Sequence, residues 1–198
     1  MFHFSRRVKI YLAFILIVLA GYTISRLSFS SNTVPKEFIE ARLQGALISQ
    51  TIVDISNQIG SGLEQVNEFD KAGKYKEAFE LTGDLIKKSQ EVRGRAVELS
   101  HELEQMTKAL AGIKSTEARG AALEAIANHL TVINRLISYS DYLAQLLVVL
   151  RSRFEGAQPD TEISTLIQQI NAEVTAINNF NRQAGQAMER FDAIIMRK

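Results

Sequence analysis

Cysteine is absent from the 198-residue chain, and proline occurs only twice. The first absence removes disulfides and thiolate-bound metals from consideration in any compartment. The second leaves long stretches without a helix breaker. Both prolines, Pro35 and Pro159, stand where helices are expected to start. Strand-like alternation is missing, and so is any low-complexity tract. Acidic residues are absent from the first 34 positions, which carry Arg6, Arg7, Lys9 and Arg26. The remainder therefore holds 19 bases against 22 acids. Phosphate contacts need a basic face, so a mildly acidic body of mixed sign excludes nucleic acid as a partner. No Gly-rich phosphate loop, Ser-His-Asp arrangement or inward carboxylate pair occurs, so the chain reads as non-enzymatic, with no cofactor.

What the chain does have begins with one apolar run. Residues Ile10 to Ser25 carry no charge and follow the basic tip at 1–9. A spanning helix takes roughly 20 apolar residues. The run reaches that length, over about 10–27, if Lys9 and Arg26 snorkel to the interfaces. Tyr11 and Tyr22 sit near its ends, where amphipathic rings favour the headgroup layer. A cleaved signal peptide is the rival, but the exit from Ala20 to Arg26 lacks an Ala-x-Ala site. The expectation is an uncleaved signal-anchor, single-pass, with the N-terminus cytoplasmic and the rest of the chain outside. A Ser-rich linker follows at 28–34.

From 35 to 198 the apolar residues alternate steps of three and four, the signature of helices that share a seam. Helix one, about 35–70, places Phe38, Ala41, Gly45, Ile48, Ile52, Ile55, Ile59, Gly62, Val66 and Phe69 on that seam. Helix two, about 74–113, continues it from Tyr75 through Leu85, Ser89 and Leu99 to Ile113. Helix three, about 116–155, carries Ile126, His129, Ile133, Ser140, Leu147 and Phe154. Helix four, about 160–197, carries Ile163, Val174, Ile177, Asn181, Met188 and Phe191. Connections of a few residues force antiparallel neighbours. The predicted fold is all-α: a transmembrane helix, then a long up-down-up-down four-helix bundle with coiled-coil-like packing. Helix four then returns to the membrane, and the terminal Ile194 to Lys198, apolar then cationic, suits anionic headgroups.

Four groups of residues invite a functional reading. Glu98 and His101 have the Glu-x-x-His spacing of di-iron bundles, but Leu99 and Leu103 hold the seam and turn that pair outward, so no metal site is expected. His129 lies in the seam about one turn from the level of Asn181, counting 1.5 Å per residue from the membrane end. The two read as a register-fixing hydrogen bond or as a ligand position. With Gly62, Ser89 and Ser140 they form a candidate buried polar layer, where glycine permits either tight packing or a small cavity. At the membrane-distal end Phe69, Tyr75, Phe79, Leu146, Val149 and Phe154 make a broad apolar face. It marks a candidate partner surface if exposed, and deeper burial if not.

The segment from Phe69 to Leu81, with Ala72-Gly73, Tyr75, Ala78 and Leu81, is similar to the inter-helix turn of a tetratricopeptide repeat. It occurs once, and a repeat array needs several copies. It reads as a helical-hairpin turn. The layout of one anchor and four long helices resembles the extracytoplasmic sensor bundle of chemoreceptors and related histidine kinases. A second spanning helix and an output module are lacking, so that resemblance implies a receptor-like domain working through a partner. Two functions are expected from these features. One is a membrane-anchored interaction or structural subunit that binds a protein partner or itself. The other is a ligand-binding sensor bundle that signals through a partner.

Overall fold

A computed structural model describes residues 34–156 and 163–197. They form four long helices, α1 (Lys36–Lys71), α2 (Tyr75–Ala109), α3 (Thr116–Phe154) and α4 (Ile163–Met196), with a 3-10 turn at Leu110–Gly112. No strand occurs among the described residues. The expected membrane segment at 10–27, the tip before it and most of the linker lie outside them. Among those described, no helix is long and apolar enough to cross a membrane.

Five of the helix ends have a local cause. Pro35, with its extended ψ of 142°, precedes α1, and Glu37 complements the dipole in the first turn. Gly73 (φ +68°) ends α1. Its amide bonds the Asp70 carbonyl at 3.2 Å, and that of Lys74 bonds Phe69 at 2.9 Å, a Schellman closure that favours glycine at the left-handed position. Gly156 (φ +85°) closes α3 in the same left-handed conformation. Ser115 caps α3, its Oγ accepting from the Ala118 amide at 3.2 Å. The expected continuation of helix two to 113 is replaced by the 3-10 turn. There a Cβ on Gly112 would stand 2.5 Å from Pro35 Cγ, so the chain turns where it meets the start of α1.

Side-chain pairs along the helices fix an antiparallel order. Lys88 of α2 reaches Gln58 of α1, Arg93 of α2 meets Asp141 of α3 at 2.9 Å, and Arg190 of α4 meets Glu124 of α3 at 2.6 Å. Phe38, Ile52, Ile59, Leu85, Val92, Leu103, Ile126, Leu143, Ile177 and Phe191 join one core along the bundle. A smaller cluster at the distal end joins Leu146, Val149 and Leu150 of α3 to Leu166 of α4. Helix α1 buries more than its seam: Ser49, Val53, Ser56 and Leu63 are buried as well. Ser49 and Ser56 satisfy their hydroxyls on their own helix, donating to the carbonyls of Gly45 (2.8 Å) and Ile52 (2.7 Å). That satisfaction lets serine sit inside an apolar face.

The four seams are not equal. Backbones run within 8 Å of each other along α1/α2, α2/α3 and α3/α4, whereas α1 and α4 hardly approach at that range. Side chains close the α1/α4 seam near the start of α1. The Phe38 and Phe191 rings lie 5.3 Å apart at 39°. One turn on, Arg42 makes a two-pronged ion pair with Asp192, at 2.8 and 2.9 Å.

Candidate functional site

Small residues on facing helices normally let backbones approach. In the α1/α4 seam they do the reverse. Gly45, Ala46 and Ser49 on α1 and Gly185 on α4 line a gap that the helices do not close. The result is a cavity of about 320 Å³ immediately beyond the Arg42–Asp192 pair. Leu99, Leu103 and Met106 of α2 and Met188 of α4 give it an apolar lining, His129 of α3 reaches it from the far side, and Asn181 lines it from α4. Arg182, Gln186 and Glu189 are the exposed members of the lining. A Cβ built on Gly185 meets nothing within 4 Å, so this glycine borders open space.

Two polar side chains line that space, and neither hydrogen-bonds to another side chain among the described residues. Asn181 is only 6% exposed, and its carboxamide has no hydrogen bond to any described residue. Its amide atoms remain accessible through the cavity, since Ser140 Oγ is the one enclosed side-chain atom without a partner among the described residues. His129 Nδ1 lies 3.1 Å from the Ala125 carbonyl. A carbonyl only accepts, so Nδ1 carries the proton and Nε2 keeps a free lone pair. Burial pushes the His129 pKa down to about 4, the Ala125 bond opposes the shift, and the positive charge of Arg42 lowers it further. At neutral pH the ring is therefore an uncharged acceptor. The Arg42 charge is offset by Asp192, so the interior presents little net field.

His129 and Asn181 line one cavity, and no hydrogen bond joins them. Gly62, Ser89 and Ser140 do not line it. A Cβ on Gly62 would fall 2.5 Å from Leu85 Cδ2, so that glycine serves tight packing between α1 and α2. Ser89 donates to the Ile86 carbonyl at 2.9 Å. Ser140 is buried with its Oγ unpartnered. Glu98 and His101 are exposed, with Arg95 holding Glu98 at 2.8 Å. No cluster of three potential metal ligands occurs among the described residues.

At the distal end the broad apolar face divides. Leu146 (1% exposed) and Val149 are buried under α4, so the width of α3 there is used for packing and these two are withdrawn as surface. Phe69, Phe79 and Phe154 are partly buried, and Arg151 covers the Phe79 ring at 4.0 Å. Tyr75 stays 53% exposed and stacks on Phe154 with centroids 6.3 Å apart.

Several lining residues carried a signal that seam reading passes over. Arg42 and Asp192 lie beside the seams at one level from the same bundle end, and Gly185 follows Asn181 by one helical turn on the same face. The chain matches no family model, no curated protein and no solved structure.

Proposed function

We propose that this chain is a single-pass, membrane-anchored, non-enzymatic bundle that binds a small molecule between α1 and α4 and passes its occupancy to a protein partner. The single observation that carries the reading is the Asn181 carboxamide, on a residue only 6% exposed, which lines an apolar cavity with no hydrogen bond to a described residue. A bundle that serves only as a strut gains stability by placing leucine there. Retaining the amide keeps a polar group in an apolar lining, where a bound ligand supplies the partner that the protein does not. His129 adds an acceptor but no catalytic drive, since a base with a pKa near 4 takes up few protons at neutral pH.

Membrane attachment rests on the uncharged run Ile10 to Ser25 and the bases before it. The basic tip puts the N-terminus in the cytoplasm and the bundle outside. In that arrangement the start of α1 and the end of α4 are the parts nearest the anchor. The Phe38–Phe191 and Arg42–Asp192 contacts join those ends just beside the cavity. A ligand that spreads or tightens the α1/α4 seam therefore acts on the end that meets the membrane. The reading as a purely structural interaction subunit is favoured by one observation, the half-exposed Tyr75 ring at the opposite end.

The test is crosslinking in intact membranes of the wild-type chain and a cavity-filled Gly185→Leu variant. The leucine enters open space and improves helix propensity, so the fold is kept. Partner crosslinks that change in yield or position with the filled cavity support the reading. Identical crosslinks in both chains refute the coupling. Extraction of the full-length chain by alkaline carbonate refutes the anchor.

A further inference from the structure

Resting on the reading of the α1/α4 cavity as a ligand site, we infer that its ligand is an uncharged molecule of about two rings that carries a hydroxyl or N–H donor. Size comes first. A cavity of about 150 Å³ takes benzene, and this one holds about 320 Å³. Polarity comes next. The body of the ligand meets Leu99, Leu103, Met106 and Met188, which offer no hydrogen bonds. Its polar group meets His129 Nε2, which accepts, and Asn181, which both donates and accepts. A hydroxyl has what both residues lack, a proton for Nε2 to accept and a lone pair for the amide to donate to.

Charge decides the rest. An anion would need an uncommitted cation, and Arg42 is held by Asp192 through two hydrogen bonds. A cation would lie near Arg42, whose positive charge acts on the His129 ring and would repel it, and the carboxylate beside Arg42, Asp192, is already paired. The exposed Arg182 and Glu189 have opposite signs and favour neither.

Three probes of one shape separate the possibilities: 2-naphthol, naphthalene and 2-naphthoate, each titrated by NMR against the full-length chain in nanodiscs at pH 7. Empty nanodiscs and the Gly185→Leu chain correct for partition into lipid. The expected result is 2-naphthol binding at least about tenfold tighter than naphthalene, with 2-naphthoate weakest. Asn181→Leu and His129→Phe, which remove the polar groups and keep the bulk, should each bring naphthol and naphthalene to within about twofold. Equal binding of naphthalene and naphthol in the wild type overturns the donor assignment and leaves the cavity as a site. Tighter binding of naphthoate overturns the charge assignment. Failure of all three to bind overturns the ligand class, and the crosslinking comparison then decides separately whether the cavity is coupled to a partner.

Discussion

Gly62 and Gly185 offer the same substitution in two surroundings. Both lie inside helices, and alanine at either gains about 1 kcal/mol of helix propensity. At Gly185 a new Cβ meets nothing within 4 Å. The gain is unopposed, and Gly185→Ala should stabilise the chain by about 1 kcal/mol. At Gly62 the new Cβ would stand 2.5 Å from Leu85 Cδ2, 3.2 Å from Cδ1 and 3.3 Å from Cγ. Leu85 is fully buried between α1 and α2, so it moves only by displacing its neighbours. Overpacking of that kind costs about 1–3 kcal/mol. Set against the propensity gain, Gly62→Ala should come out neutral to about 2 kcal/mol destabilising. For a chain of this size about 1 kcal/mol shifts Tm by roughly 2–4 °C. Thermal melts followed by circular dichroism, on full-length chains in nanodiscs, should place Gly185→Ala above wild type and Gly62→Ala at or below it. Equal upward shifts for both would refute the close approach of α1 and α2 at Gly62.

Acid should weaken the bundle through His129. Its folded pKa of about 4 lies below the unfolded value of about 6.5, so the folded state resists protonation. The stability this contributes, about 3 kcal/mol from the difference at about 1.36 kcal/mol per pH unit, is complete above pH 6.5 and lost as pH falls toward 4. Arg42 acts on the ring, and Glu189 and Arg182 share the cavity lining with it. Melting temperatures of the wild type should fall between pH 7 and pH 5, and His129→Phe should flatten that slope; parallel slopes would contradict the neutral, half-buried ring. Leu146→Glu should unfold the distal half, losing 4 kcal/mol or about that through lost packing and an unpaired charge, whereas Val148→Glu, two residues on and 51% exposed, should stay within about 0.5 kcal/mol of wild type. Chemical denaturation of both variants checks this, and matching midpoints would show that α4 does not cover Leu146.

The three-and-four spacing of apolar residues was enough to read four helices, because a repeat of that period puts one stripe on one side of a helix. Phe38, Ile52, Ile59, Leu85, Leu103, Ile126 and Ile177 are all buried, as their seam positions require. That His129 and Asn181 lie within about one turn of a common level was legible too, since rise per residue is constant and neighbouring helices start from a common end. Gly62 was placed on a packing surface, but its spacing left open whether the space beside it is filled. Ser49 and Ser56 were passed over because a polar side chain on the flank of a seam reads as solvated. Their bonds to carbonyls on their own helix are what permit burial.

Residue order alone determined the number of helices, the turns that separate them, which stripe of each turns inward, and the uncharged leading run on which membrane attachment is proposed. Those features follow from local sterics and from periodicity, which act within a few residues of one another. Tertiary structure alone decided that α1 and α4 stay apart, that Gly185 faces emptiness while Gly62 faces Leu85, and that α4 covers Leu146. Each depends on the distance between helices far apart in the chain, and that distance is set by how all four sets of side chains fill space together.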